Sequence, residues 1–297
     1  MSCAACGSPR LEPHLAVAGP AGAAGLIPTT DAFGTALADI VRCPGCGHMQ
    51  LAAFPPAEEL AEAYGEAASD DYVAEEAGQR ETARRVVERI EAWTTPGRIL
   101  DLGCWVGFLL AEARGRGWEP TGVEPSGWAA SYAREELGLD VVGADLFAAP
   151  LAERAFRAVV LGDVLEHLID PGAALRERIA PALAPGGVVC LVLPDAGSRL
   201  ARVMGARWWS VIPTHVQYFT RGSLRTLLER SGYQVLELRT APKAFTVRYY
   251  LERIGGYSPA LARALVAGAK RAGVAERMWA PDFRDRMLVL ARPYRAY

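Results

Sequence analysis

The sequence has 297 residues, of which 32 are basic and 34 acidic, so its formal net charge is −2. This balance offers no electrostatic attraction to a phosphate backbone, and no nucleic-acid partner is expected. No apolar run approaches the roughly 20 residues that cross a bilayer, and no positive segment precedes an apolar one. We therefore expect no membrane partner and a cytoplasmic protein, with a sizeable core divided over about two domains.

Two Cys-x-x-Cys-Gly motifs, at 3–7 and 43–47, are the first feature of the chain. A two-residue gap lets both sulfurs of one turn reach a single ion, and the following glycine can adopt a positive φ. Cytoplasmic cysteines are more often ligands than disulfides, although 36 residues lie between Cys6 and Cys43. The motifs predict one structural zinc ion (Zn2+), with four unliganded surface thiols as the alternative. The predicted ligands are Cys3, Cys6, Cys43 and Cys46.

Three other potential metal ligands, one histidine and the two remaining cysteines, receive different predictions. His48 is a spare ligand that four thiolates do not need, and a site with four protein ligands has no open position for catalysis. Cys104 and Cys190 lie in apolar, strand-like settings and are predicted to be core residues. The zinc-binding module is predicted to span residues 1–56, where Pro55-Pro56 ends it.

Helices are predicted at 57–64 and 72–93, and the second presents an apolar face. A polar stretch separates them, so residues 57–96 are interpreted as a helical lid and linker. Residues 98–114 then form a strand, a glycine turn and a helix, with the turn between Gly103 and Gly107. A turn of this kind, at the carboxyl end of a parallel strand, is where doubly wound folds bind nucleotides.

Strands and helices alternate from Arg98 onward, which predicts an α/β fold: a Rossmann-like, doubly wound sheet that is mostly parallel. Further strands are predicted at 120–124, 141–146, 157–161 and 186–193. The last strand, 286–291, is predicted to be antiparallel. Ser126 and Thr220 are predicted to cap helices, and residues 207–220 are predicted to form a loop rich in aromatic residues. This domain is assigned to residues 97–297, with a helical insertion at about 244–283.

Two acids end strands where a nucleotide would need them. Glu124 lies 21 residues beyond Gly103, where such folds place the carboxylate that accepts hydrogen bonds from ribose. Asp145 ends the next strand and is suited to an adenine amino group, with Leu146 beside it.

The glycine turn lacks the spacing of a dinucleotide fingerprint and resembles the Asp-x-Gly-x-Gly-x-Gly loop of class I S-adenosylmethionine (SAM) methyltransferases. The order of acids and the Val-Leu-Glu-His-x-x-Asp-Pro motif at 164–171 resemble this family too, over residues 98 to 195. The resemblance implies SAM as cofactor, with Asp101 at its methionine end beside Gly103 and Gly107. Trp105 replaces the middle glycine, so a φ below zero is expected there, with its ring over the cofactor or against the substrate.

The order of the parts also resembles bacterial sugar C-methyltransferases and their relatives in polysaccharide and antibiotic biosynthesis. Those enzymes carry Tyr-x-Glu-His where this chain has Ile212, Pro213, Thr214 and His215, so only the histidine matches. The resemblance implies a small-molecule acceptor, such as a sugar or a nucleotide-linked or glycosylated metabolite. His215 is the first candidate for the catalytic base and His167 the rival, while a structural His215 bonded to a backbone carbonyl is the alternative.

The sequence therefore favours methyl transfer from SAM to a small molecule. Two alternatives stay open: an RNA base methyltransferase guided by the zinc module, and a non-catalytic protein that binds SAM or a partner. The segment 64–72 is further predicted to close over the cofactor, with an ordinary helix–helix loop as the alternative.

Overall fold

The computed structural model describes residues 1–19, 33–65 and 70–294. Its strands are β1 (Glu12–Leu15), β2 (Ile40–Arg42), β3 (Met49–Leu51), β4 (Arg98–Leu102), β5 (Glu119–Glu124), β6 (Asp140–Gly143), β7 (Phe156–Gly162), β8 (Leu183–Pro194), β9 (Gln217–Tyr218), β10 (Tyr233–Thr240), β11 (Phe245–Thr246), β12 (Met278–Trp279) and β13 (Arg286–Pro293). Its helices are α1 (Ala57–Gly65), α2 (Asp70–Ala74), α3 (Glu76–Glu91), α4 (Phe108–Gly115), α5 (Gly127–Glu135), α6 (Pro171–Ala173), α7 (Ala180–Ala182), α8 (Arg199–Met204), α9 (Arg221–Arg230), α10 (Val247–Arg253) and α11 (Pro259–Arg271).

The central sheet has seven strands in the order β10-β13-β8-β7-β4-β5-β6. Strands β6, β5, β4, β7 and β8 are mutually parallel, whereas β13 is antiparallel to both of its neighbours, β8 and β10. The predicted α/β Rossmann-like fold, with an antiparallel last strand, is confirmed. In chain order the sheet extends from β4 to β5 and β6 on one side, and then from β4 to β7 and β8 on the other. At such a change of direction a crevice forms at the carboxyl ends of the central strands, here β4 and its neighbours.

Both faces of this sheet are buried, as a parallel sheet with continuous apolar runs requires. On one face, Val87 and Ile90 of α3 pack with Ile99 of β4 in a fully buried cluster. On the other, Leu100 and Leu102 belong to the largest cluster of the molecule. The predicted apolar face of the α3 region is therefore confirmed, and Cys104 and Cys190 are buried as predicted.

The amino-terminal strands form a second, antiparallel sheet of order β1-β2-β3-β9. Its fourth strand, β9, comes from far along the chain, so the cysteine-bearing segment shares a sheet with the larger domain. His48 Nε2 donates to Gln217 Oε1 at 2.8 Å, while Gln217 Nε2 donates to the carbonyls of Leu168 and Ile169 at 3.2 Å. These bonds connect the four-stranded sheet to the segment that follows β7 of the central sheet, and the domain boundaries at 56 and 96 stay predictions.

Two smaller features complete the fold. Predicted helix caps at Ser126 and Thr220 are present, and each side chain accepts a bond from a backbone N–H of the first turn. The insertion consists of α10, α11 and the β11–β12 pair. Residues 66–69 of the predicted lid lie outside the described residues. No helix in the described ranges is long and apolar enough to cross a membrane.

Candidate active site and cysteine cluster

The two glycines of the loop after β4 serve different purposes. Gly103 has φ 75° and lines a large cavity, and a Cβ there would lie 2.5 Å from Val164 Cγ2. Gly107 has φ 84° and precedes α4, where a Cβ would lie 2.6 Å from Leu139 Cδ1 and 3.2 Å from Ala133 Cβ. Gly103 therefore allows Val164 to approach the loop closely, whereas Gly107 allows α4 and α5 to pack closely.

The expectation of a φ below zero at Trp105 is wrong, since its φ is +50°. The left-handed conformation turns the Trp105 N–H toward Glu124 Oε2, which accepts it at 2.8 Å. The indole packs edge-on against Tyr72, with ring centroids 6.1 Å apart, and lies 5.6 Å from the ring of Trp128. A charge-assisted hydrogen bond and these ring contacts offset the strain of the left-handed region.

Glu124 is held in place by the backbone around it. Its other oxygen, Oε1, accepts the N–H of Ser126 at 2.8 Å, so each carboxylate oxygen has one backbone donor. Burial raises the pKa of Glu124 in spite of these two bonds. Each oxygen can still accept a second bond on its cavity side.

Asp101 and Asp145, the other two predicted acids, have different surroundings. Asp101 is buried and does not line the cavity, and burial together with the charge of Glu124 raises its pKa to about 7. Asp145 is exposed and lines the cavity, and its Oδ1 accepts the N–H of Phe147 at 2.8 Å. Leu146 and Phe147 line the same region.

One continuous cavity joins these residues to the second half of the domain. Its volume is about 1230 Å³, larger than the roughly 300–1,000 Å³ of a typical small-molecule site. Gly103, Trp105 and Glu124 line it together with His167 and His215. The cavity is therefore large enough for a cofactor and a second small molecule.

The two histidines meet in this cavity. Their rings lie 4.7 Å apart at 72°, and each uses Nδ1 to donate to a backbone carbonyl: His167 to Thr214 at 2.9 Å and His215 to Ser210 at 2.8 Å. Burial lowers the pKa of both imidazoles, and the neighbouring His167 lowers that of His215 further. Both are therefore neutral at pH 7. The alternative prediction was a structural His215 that bonds to a backbone carbonyl, and this hydrogen bond is present. The His215 ring also lines the cavity.

Glu166 lies beside the histidines and is buried. Neither of its carboxylate oxygens has a hydrogen-bond partner among the described residues. Burial and the charge of Asp163 raise its pKa to about 8. One ligand atom from each of Glu166, His167 and His215 lies within 4.8 Å of the others.

A charged cluster that the sequence interpretation missed lies in the same cavity. Asp163, with φ 56°, accepts a bond from Lys243 Nζ at 2.8 Å and another from Arg286. Burial opposes ionisation of Asp163, but the charges of Arg286 and Lys243 outweigh it and lower its pKa. Since 80 and 123 residues separate the partners, no local pattern could have revealed this cluster.

Aromatic rings form another part of the cavity lining. Tyr250 lies 5.5 Å from Trp279 and 6.1 Å from Phe283, centroid to centroid, and Trp209 lies 5.9 Å from Phe283. The aromatic loop that contains Trp209 was predicted from the sequence, but the role of the rings in the insertion was not. Together these rings provide flat apolar surfaces on which a ring-shaped acceptor could stack.

The four amino-terminal cysteines form a separate cluster. Sulfur–sulfur distances are 3.6 Å between Cys3 and Cys46 and 3.5 Å between Cys6 and Cys43, and all four sulfurs lie within 4.8 Å of one another. Zinc–sulfur bonds of about 2.3 Å in a tetrahedron place sulfurs about 3.8 Å apart, so the cluster fits a zinc ion. His48 is not part of this cluster.

Both cysteine turns have the same backbone form. The N–H of Gly7 donates to the carbonyl of Cys3 at 2.8 Å, and that of Gly47 to the carbonyl of Cys43 at 2.9 Å. The two glycines have φ values of 76° and 73°, as predicted from the motif.

Comparisons with known proteins agree with this architecture. The chain is 30% identical over 155 residues to a ubiquinone biosynthesis O-methyltransferase of Aeromonas salmonicida and 37% identical over 119 residues to one of Alkalilimnicola ehrlichii. These matches cover 48% and 37% of this chain, and 64% and 48% of the relatives. The chain thus spans less than two thirds of either relative's length.

A solved structure and a family model provide the remaining comparisons. A SAM-dependent methyltransferase from Thermotoga maritima superimposes with a TM-score of 0.51 at 18% identity, over 76% of this chain and 95% of that one, which shows a common fold. The family model described as a methyltransferase domain matches residues 75–238, more than half of the chain. This match includes the loop after β4, Glu124, Asp145 and both cavity histidines, and the chain belongs to this methyltransferase family.

Proposed function

We propose that this chain transfers a methyl group from SAM to an oxygen atom of a small-molecule acceptor, and that the acceptor is a sugar or a nucleotide-linked or glycosylated metabolite. The observation that carries the proposal is the single cavity, which Glu124 and Asp145 share with His167, His215 and the aromatic rings. Donor and acceptor would then lie in one enclosure, as a direct displacement at the methyl carbon requires.

The SAM site is assigned to the residues around the loop after β4. Glu124 would accept the ribose hydroxyls, because two backbone donors already fix its carboxylate. Asp145 and Leu146 would contact the adenine. The rings of Tyr72 and Trp105 would face the sulfonium and attract its positive charge through cation–π interaction.

The acceptor is assigned to the region of the histidines and the aromatic rings. A neutral imidazole can take the proton of the acceptor hydroxyl, and burial keeps both histidines neutral. His215 stays the first candidate and His167 the rival. Asp163, Lys243 and Arg286 would supply hydrogen bonds to polar groups of the acceptor.

A phenol is the second acceptor class. The relatives from Aeromonas salmonicida and Alkalilimnicola ehrlichii are named as O-methyltransferases of ubiquinone biosynthesis, which supports oxygen as the methylated atom. The exposed rings of Trp279 and Phe283 would also suit an apolar acceptor. RNA is disfavoured by the net charge of −2. A non-catalytic role is disfavoured by the buried, aligned carboxylate of Glu124.

For the cysteine cluster we propose a structural role. Four thiolates would complete the coordination of one zinc ion and leave no position for substrate. The ion would hold the two cysteine turns together beside the four-stranded sheet that contains β9.

The test is a methyl-transfer assay that measures S-adenosylhomocysteine with a panel of nucleotide sugars, phenols and RNA. We expect product with at least one nucleotide sugar. Product with phenols alone would overturn the sugar assignment, and no product with any acceptor would argue against the function. Replacing a true base, His215→Asn, should lower kcat about 10²-fold or more. It should also remove the rise in rate with pH, which the lowered pKa of His215 places below pH 6.5, whereas exposed His14→Asn should change neither.

A further inference from the structure

Beyond the cysteine cluster, the cavity contains a second group of side chains with the chemistry of a metal site. Glu166 and His167 belong to the 3₁₀ turn Leu165–His167 after β7, and His215 lies in the loop before β9. One ligand atom from each lies within 4.8 Å of the others, a spread that a single ion could draw together. We propose that Glu166, His167 and His215 bind one divalent transition-metal ion.

The buried carboxylate is the strongest argument for an ion. Glu166 is 2% exposed, and neither of its oxygens has a hydrogen-bond partner among the described residues. Leaving a buried polar group without a partner costs free energy, more so when it is charged, and a cation between the carboxylate and the imidazoles would remove this cost.

The histidines are oriented as metal ligands usually are. Each donates its Nδ1–H to a backbone carbonyl, His167 to Thr214 and His215 to Ser210. In His215 such a bond fixes the tautomer in which Nε2 carries the lone pair, as the outer-shell partners of metal-bound histidines commonly do.

The backbone also holds the two segments together. The N–H of Val216 donates to the carbonyl of Glu166 at 3.0 Å, beside the bond from His167 to Thr214. The three ligands are therefore positioned before any ion arrives, and ordering them would cost little conformational entropy.

Two imidazoles and one carboxylate favour zinc or iron(II) over magnesium, because imidazole is a good ligand for the later transition metals. With three protein ligands, the ion would keep an open position. Both histidines line the cavity, so this position would face the acceptor region.

The role of the ion rests on the proposed function. The acceptor hydroxyl would occupy the open position and lose its proton to water, since coordination lowers the pKa of a bound hydroxyl. Its oxygen would then bond to the methyl carbon as the carbon–sulfur bond of SAM breaks, which leaves S-adenosylhomocysteine. In this scheme His215 and His167 would be ligands, and deprotonation of the metal-bound hydroxyl would replace the histidine base considered under the proposed function.

The test is the zinc content of the full-length protein after equilibration with Zn2+ and removal of free ion. Wild-type protein should hold about two zinc ions per chain, and Glu166→Gln and His215→Asn about one each. Cys43→Ser should lose only the ion of the cysteine cluster and keep about one. The control Glu177→Gln, at an exposed position that does not line the cavity, should retain both.

A wild type that holds no more zinc than a folded Glu166→Gln variant, or a Cys43→Ser variant without zinc, would overturn the site. If circular dichroism shows that the Glu166→Gln or His215→Asn protein is unfolded, the zinc contents of the wild type and of Cys43→Ser protein still test the site. A second zinc ion without methyl transfer to any acceptor would support the site and overturn the function. Full methyl transfer by Glu166→Gln protein would overturn the catalytic role of the ion.

Discussion

The assignment of Glu124 as the ribose acceptor makes a quantitative prediction for Glu124→Ala. In the structure each carboxylate oxygen already accepts one backbone N–H at 2.8 Å, from Trp105 and from Ser126. The substitution removes the charged acceptor that would face the cofactor. It also releases the Trp105 N–H, which helps to hold that residue at φ +50°.

The expected loss follows from the strength of a hydrogen bond to a charged group, about 1.5–3 kcal/mol. Since about 1.4 kcal/mol corresponds to a tenfold change in affinity, the Kd for SAM should rise about 10- to 100-fold. Isothermal titration calorimetry measures this directly. Glu119→Ala, an exposed glutamate at the start of the same strand, is the matched control and should bind SAM as the wild type does.

Circular dichroism and thermal unfolding must first show that the Glu124→Ala protein is folded. If the folded variant binds SAM with unchanged affinity, Glu124 does not contact the ribose, and the placement of the cofactor in this cavity is wrong. An equal loss in Glu119→Ala protein would mean that β5 as a whole, and not the carboxylate, controls binding.

Three further predictions concern other parts of the molecule. Metal analysis of Cys43→Ser protein should find about one zinc ion fewer per chain than in the wild type, and an unchanged content would refute the four-thiolate site. Burial, together with the charge of Glu124, raises the pKa of Asp101 from 3.8 to about 7, so the folded state retains a proton that the unfolded state releases. Wild-type stability should therefore fall between about pH 4 and 7, by at most about 1.4 kcal/mol per pH unit, and Asp101→Asn should reduce this slope. Thermal unfolding across pH tests this, and equal slopes would contradict it. Hydrogen exchange of the α2 amides should slow when SAM binds, because Tyr72 lines the cavity, and an unchanged rate would favour an ordinary connecting segment.

The sequence was sufficient for features that local pattern determines. Apolar strands alternating with helices predicted the doubly wound sheet, because a parallel sheet buried on both faces needs continuous apolar runs such as 99–102. The glycine turn, the caps at Ser126 and Thr220, and the cysteine motifs each depend on a few neighbouring residues. These features could be predicted because backbone conformation and capping are short-range effects.

The conformation of Trp105 shows where local reasoning failed. A residue with a Cβ normally avoids positive φ, and the prediction followed that rule. The outcome was decided by a bond to Glu124, 19 residues away, and by the rings of Tyr72 and Trp128. Tertiary contacts that supply more free energy than the strain costs can override a local preference.

The composition of the cavity could be decided only by the tertiary structure. Glu166 and His167 were visible as a motif and His215 as part of an aromatic loop, but their meeting depends on how the loop before β9 packs on the turn after β7. Lys243 and Arg286 belong to no motif, yet both bond to Asp163. Ion pairs, ring contacts and ligand clusters form between residues that the fold brings together from distant parts of the chain. Which of these side chains can act together is therefore known only from their distances in the folded structure.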